Sequence, residues 1–458
     1  MNPVTPAIEP RLEATRNACK LCTPLGACLV FRGIRGAMPF LHGSQGCATY
    51  IRRYVISHFR EPMDIASSNF SEGTAVFGGG ENLTRGLDNV IRQYHPELIG
   101  IATTCLSETI GEDVPGMLRA YATARAGSPD LPALVHVSTA SYRGTHMHGF
   151  HDAVRATVAA LACQGATLPR QINLLPGLVS PADLRHLREI VAAFGLQAVV
   201  LPDYADTLDG PAWDDYQALP DGGTSCSEIA TMGQSLATVQ FGRALALTAE
   251  SAADRLQATC AVPACKLGLP IGLRETDALF DCLARLSRQA PPEPFVKERG
   301  RLVDAYVDGH KYLAGKRAVL YGEEDLVVGL AAFLTETGIV PVLAASGGKS
   351  GVLRQTLTEA APETASKTQV VDDADFVQIE AAAKALQPDL VIGHSKGAKL
   401  ARALDIPLVR AGFPIHDRFG GQRLHHLGYR GTQELYDRIV NALLEKTQTE
   451  SDIGYSYM

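Results

Sequence analysis

No stretch of 18 apolar residues occurs in the 458-residue chain, so no segment reads as a membrane span. No Lys/Arg-rich block or basic stripe breaks a net charge of −7, and nucleic acid is therefore not an expected partner. The first twenty residues, MNPVTPAIEPRLEATRNACK, have no apolar core of the kind a secretory signal needs. The expected location is the cytoplasm. Low-complexity tracts and tight repeats are absent. No Ser-His-Asp or Cys-His arrangement can be argued from residue order, and no independent catalytic centre is expected. A cysteine run of the CxxCxxC type is missing too. Ten cysteines in a cytoplasmic chain of this size do not make a disulfide framework.

What is there is an ordinary globular composition, 46% hydrophobic and 20% charged. At roughly 150 residues per domain, this length suggests about three domains. From about residue 95 onward, short β-branched apolar runs alternate with helical patterns. ELIGIATT and ALVHVSTA read as buried parallel strands, as do INLLPG, LQAVVLPD, KRAVLYG, IVPVLAAS and DLVIGHS. SPADLRHLREIVAAFG reads as a helix capped by Ser180, with Pro181 in its first turn and Gly195 as its stop. Such alternation predicts an α/β fold of three Rossmann-like domains, each a parallel sheet flanked by helices. The expected boundaries are residues 1–168, 169–290 and 291–458, the last carrying a C-terminal helix.

In open α/β sheets ligands bind beyond the carboxyl ends of strands. Three cysteines fall at such places. Cys22 lies in KLCTPLGA, before Thr23-Pro24, which reads as a cap and first-turn proline. Cys47 lies in HGSQGC, ahead of the helical run ATYIRRYVISHF. Cys105 follows the strand IATT directly. Exposed N–H groups at helix starts stabilise thiolates and anionic clusters, and iron–sulfur clusters need thiolates with N–H groups aimed at their sulfurs. Gly43 and Gly46 let backbone approach a bulky inorganic group. Spacing alone leaves two readings open, a cluster site or three unrelated thiols. The other seven, Cys19, Cys28, Cys163, Cys226, Cys260, Cys265 and Cys282, read as small buried hydrophobes.

The stretches CTPLGA, MPFLHGSQGC, HFREP, TTCLSETIGED, SYRGTH, RAGFPIHDR and GYRGT resemble the nitrogenase component-1 superfamily, and within it the β-type subunits. The likeness runs from about residue 18 to 440. The LSET after Cys105 and the few residues before Cys22 resemble the scaffold type, NifN, more than the catalytic β subunit, NifK. That resemblance implies a β-like subunit pairing with a NifE-like α subunit in an α2β2 heterotetramer. On such a scaffold the iron–molybdenum cofactor is matured, its precursor held mainly by the partner. The Fe protein and the precursor donor would dock transiently. It further implies a 4Fe–4S cluster at the α/β interface, with Cys47 as its surest ligand from this chain. Some members of that type keep only this cysteine. Here Cys22 and Cys105 are present as well, either as spare thiols or as ligands of a larger cluster. Ser141 matches a β-subunit serine ligand, though a turn serine also serves as a cap. The alternatives are the catalytic β subunit and a related reductase subunit.

Other signals read as structural. SGGKS at 346–350 lacks the first glycine of a phosphate loop, since residue 343 is Leu. His146, His148 and His151 do not share one helical face, so they are expected in hydrogen-bonded turns and at the surface. His42 can donate to a cluster sulfur or simply pack. Ser225 and Glu228 form a capping box. Arg423, His425 and His426 read as solvated surface, and Glu323-Glu324 and Asp372-Asp373 as strand-end loops or caps.

Overall fold

The computed structural model describes residues 17–248 and 250–453, and most of the N-terminal stretch considered above lies outside them. Three parallel sheets follow one another along the chain. The first holds β1 (Ala37–His42), β2 (Ala66–Ser67), β3 (Leu98–Thr103) and β4 (Ala133–Val137) in the order β2-β1-β3-β4. The second holds β5 (Leu168–Leu175), β6 (Gln197–Val200), β7 (Ser235–Phe241) and β8 (Ala264–Leu267), ordered β6-β5-β7-β8. The third holds β9 (Arg317–Gly322), β10 (Val340–Ser346), β11 (Gln369–Val371), β12 (Leu390–Gly393) and β13 (Leu408–Arg410), ordered β11-β10-β9-β12-β13. Every pairing is parallel. The expected α/β class with three helix-flanked sheets is thus observed. No described helix is long and apolar enough to cross a membrane.

Register matters most in the first sheet. His42 pairs with Thr103, and Ala102 with Val137, so β1, β3 and β4 end nearly flush. The loops after these strands therefore emerge side by side. Both β1 and β3 are buried at all six positions, which is why they read as continuous apolar runs rather than alternating ones.

Helix α1 (Thr23–Arg32) has no exposed face at all. It packs on α4 (His146–Leu161) through glycine contacts. A Cβ at Gly26 would stand 1.7 Å from the His146 carbonyl oxygen, and one at Gly149 would stand 1.9 Å from that of Thr23. Backbone meets backbone here because neither helix carries a side chain at the crossing.

The domains are tied together by family-like motifs. His58 and Phe59, from HFREP, close α2 (Gln45–Phe59) and pack on Phe413 with ring centroids 4.9 and 5.8 Å away. The Ile415 N–H donates to His58 Nδ1 at 2.8 Å. Burial drives the His58 pKa down to about 3, so this contact is made by a neutral ring. GYRGT opens α6 (Gly428–Glu450), where Thr432 Oγ1 accepts from Gly272 N–H at 2.9 Å and fixes the second domain. Helix α5 (Glu293–Leu313) leads into the third domain and packs on α6, with Tyr306 and Tyr436 5.1 Å apart.

Asp325 makes a costlier tie. It is fully buried and accepts the Ala244 N–H at 2.7 Å, joining the third domain to the second. Burial raises its pKa to about 6, with Glu324 and Glu323 pushing the same way against the Ala244 and Leu245 N–H groups. Because the folded value lies above the unfolded one, the native state holds this proton more tightly. The associated stability is complete below about pH 4 and is lost as pH rises towards 6. Asp325→Asn is therefore expected to be more stable than wild type at neutral pH by about 1–3 kcal/mol, with the gain vanishing near pH 4. Thermal melts across that range check it; a constant difference at all pH values would contradict it.

Candidate functional site

Cys22, at the start of α1, meets Cys47 and Cys105, which follow β1 and β3, on one face. Cys22 is itself the cap of α1, one residue before the expected Thr23, with Pro24 in the first turn. Cys47 lies inside the first turn of α2 rather than ahead of it, because Ser44 caps the helix through the Gly46 N–H. Cys105 is the first residue of α3 (Cys105–Ile110), and the preceding Thr104 N–H donates to Ser107 Oγ at 3.0 Å. Each thiol thus sits at a helix N-terminus, where the backbone favours negative charge. Gly43 is required at the junction: a Cβ there would fall 2.0 Å from Thr104 Oγ1.

Ser141 lies between two of the thiols. Its hydroxyl accepts from the Thr23 N–H at 3.2 Å, and its own N–H points at Cys105 Sγ at 3.3 Å. Burial raises the Cys22 pKa, a hydrogen bond with Ser141 opposes the rise, and a Cys105 thiolate adds to it. Burial likewise raises Cys47, followed by the charges of Cys22 and Cys105. The thiols thus sense one another. Lys396 is a neighbour that the sequence did not signal. Its ammonium donates to the Ala18 carbonyl at 2.9 Å and works against the rise at Cys22.

Among the described residues no group of three or more His, Cys, Asp or Glu converges as a single-ion site. Near the thiols in sequence, Tyr50, Leu106 and Tyr142 are exposed. Exposed Val76 and Phe77 lie on the helix Glu72–Phe77, which packs beside α3.

The remaining residues separate from this face. His42 turns to Glu112, Nε2 to Oε2 at 2.7 Å, leaving Nδ1 buried without a partner among the described residues. His146, expected at a surface turn, is buried in α4, where it bonds Glu323 at 2.9 Å and accepts the Leu21 N–H at 3.3 Å. His148 closes the capping box with Thr145. Burial lowers the His151 pKa to about 4, with His148 adding to it. These histidines and Ser346, Gly348 and Ser350 line a second cavity of about 170 Å³ with Glu323 and Glu324. A Cβ at Gly347 would meet the Cys19 carbonyl at 2.3 Å, so a close approach of chain explains part of the glycine-rich loop.

Arg423 pairs with Asp209 at 3.3 Å, His425 with Glu434 at 3.1 Å and His426 with Asp183 at 3.5 Å. The Ser225–Glu228 capping box is present. Asp373 receives Lys20 at 2.8 Å, and Asp372 keeps a buried oxygen without a partner among the described residues. Cys19, Cys28 and Cys282 are buried, and Cys226, Cys260 and Cys265 half-buried. Cys163 departs from expectation: it lies beyond the end of α4 and is exposed.

A family model for nitrogenase component 1 type oxidoreductases matches residues 22–444. The chain belongs to that family. Relatives of the nitrogenase component 1 type include the nitrogenase molybdenum-iron protein beta chain of Methanothermobacter thermautotrophicus, 35% identical over 447 residues. That alignment covers 96% of each chain. The nitrogenase iron-molybdenum cofactor biosynthesis protein NifN of Rhodobacter capsulatus is 34% identical over 438 residues, 94% of this chain and 92% of that one. A solved structure titled "Nitrogenase Cp1 at pH 6.5" superposes with a TM-score of 0.94 at 33% identity, covering 99% of this chain and 98% of its own. A β-like component 1 subunit is thereby established. Beta chains and NifN proteins match at nearly equal identity, and the archaeal beta chain aligns over nearly its whole length. N-terminal length therefore does not separate the two types.

Proposed function

We propose that the chain is the β-like half of a scaffold on which the iron–molybdenum cofactor precursor is matured. It pairs with a NifE-like α subunit in an α2β2 heterotetramer. Cys47, with Cys22 and Cys105 beside it, presents thiolate to a 4Fe–4S cluster at the interface, and the partner holds most of the precursor. The observation carrying this reading is the gathering of three thiols, Cys22 from the start of α1 and Cys47 and Cys105 from the helix starts after β1 and β3, beside exposed Tyr50, Leu106 and Tyr142. Exposed large apolar side chains at this face suit coverage by another subunit.

The donor set fits an iron–sulfur cluster. Such clusters are held corner by corner, so thiols that do not converge on one point still suit a multi-iron body. Burial first, and then the charge of neighbouring thiolates, raises the Cys22 and Cys47 pKa values; iron would supply compensating positive charge and favour the thiolates. When bound, the cluster supplies electron transfer. This chain's residues hold it, bar water and form the docking rim.

The complete cysteine triad also supports the catalytic β-chain reading. A maturation assay separates the two. The anaerobically purified α–β complex, loaded with precursor and given Fe protein, molybdenum and homocitrate, should activate a cofactor-free acceptor. It should not reduce dinitrogen itself. Sustained dinitrogen reduction by the complex would overturn the scaffold assignment.

A further inference from the structure

A crevice of about 550 Å³ opens at the carboxyl end of β4. Thr23, His136, Arg143, Arg155 and Arg255 line it, opposed by Asp152 and Glu250. Three of its polar atoms are buried and have no hydrogen-bond partner among the described residues: Thr23 Oγ1, His136 Nε2 and Arg255 Nε. Thr23 is only 4% exposed, so bulk water does not reach its hydroxyl. A buried group left unpaired costs about 1–3 kcal/mol, and three around one crevice point to a missing ligand.

The charges say which kind. Arg155 is neutralised by Asp152 at 2.9 Å. Arg143 stands 3.7 Å from Glu108 and is largely exposed. Arg255 has no ion-pair partner among the described residues, since none of the ion pairs includes it. Its guanidinium offers a planar fork of donors suited to carboxylate and phosphate oxygens. The position agrees with the general rule for open parallel sheets, which bind ligands beyond strand carboxyl ends.

We propose that this crevice binds a small multivalent oxyanion, a di- or tricarboxylate or a phosphate, gripped by Arg255 and Arg143 with Thr23 and His136 supplying neutral hydrogen bonds. The site stands independently of any cluster. It is nonetheless coupled to the thiol face, because Thr23 follows Cys22 and its N–H is held by Ser141.

Equilibrium dialysis of the full chain against radiolabelled citrate and, separately, orthophosphate tests this. At least one should bind saturably and weaken with added salt. Arg255→Gln should reduce its affinity about tenfold or more, as expected for removal of a charge-assisted bond. Arg143→Gln should weaken it less, and Arg301→Gln, at an exposed site on α5, should leave it unchanged. Citrate alone binding identifies a carboxylate ligand, and phosphate alone a phosphate. Circular dichroism melts report whether Arg255→Gln folds; if it does not, the largely exposed Arg143 carries the same test. Absence of saturable binding for both anions, or unchanged binding in both crevice variants, would overturn the proposal.

Discussion

Cys47→Ala is expected to abolish the interface iron–sulfur signal, while Cys22→Ala and Cys105→Ala retain most of it. The difference follows from what each thiol already contacts. Cys22 has a hydrogen bond with Ser141, and Cys105 Sγ receives the Ser141 N–H at 3.3 Å. Among the described residues the Cys47 thiol makes no hydrogen bond; only the charges of the other two thiols act on it beyond burial. Cys47 is half-buried in the first turn of α2 and locked there by the Ser44 cap. A thiol with a fixed helix-start position and no protein partner is the one to be satisfied by iron. Iron content and EPR spectra of the three variants, each purified anaerobically with the α-type partner, check this. Retention of the full signal in Cys47→Ala would remove it from the ligand set.

The second large effect falls on the scaffold beneath the thiols. Gly26→Ala and Gly149→Ala each drive a methyl group into the backbone of the opposing helix, at 1.7 and 1.9 Å. No side chain can rotate away, so α1 and α4 must separate. Both lie in the main core, with Leu25, Leu29, Phe150 and Val154 packed around the crossing. A loss of about 3–5 kcal/mol, or failure to accumulate as folded protein, is expected for either substitution. Gly300 provides the contrast. It lies inside α5 with nothing within 4 Å of a built Cβ, so Gly300→Ala should stabilise by about 0.5–1 kcal/mol through helix propensity alone. Urea unfolding of the three variants tests the pair of expectations. Near-equal midpoints would contradict the role given to the crossing.

Much of this was legible in the sequence. β3, β9, β10 and β12 are parallel strands buried on both faces, and such strands announce themselves as short apolar runs. The capped helix beginning at Pro181 was legible for the same local reason: Ser180 caps it through the Asp183 N–H at 2.9 Å. The three cysteines stand out in the sequence because each lies at a recognisable helix start, Cys47 and Cys105 also just beyond a strand. Their meeting on one face could not be read, since it depends on the flush register of β1, β3 and β4. His146 shows why the rest stayed hidden. Its partner Glu323 lies 177 residues away, and nothing local distinguishes that pair from two solvated groups. HFREP and RAGFPIHDR carry no local structural signal in the sequence. Their work is mutual packing between the first and third domains, a long-range contact no spacing rule encodes. Lys396 beside Cys22 is hidden for the same reason.

The most direct measurement is the number of irons in the interface cluster of the wild-type α–β complex, counted chemically and resolved by Mössbauer spectroscopy under strictly anaerobic conditions. A four-iron cluster per α–β pair is the expected result for a maturation scaffold in which Cys47 is the essential ligand from this chain. An eight-iron cluster that needs Cys22, Cys47 and Cys105 together would contradict it and assign the chain to the catalytic β type.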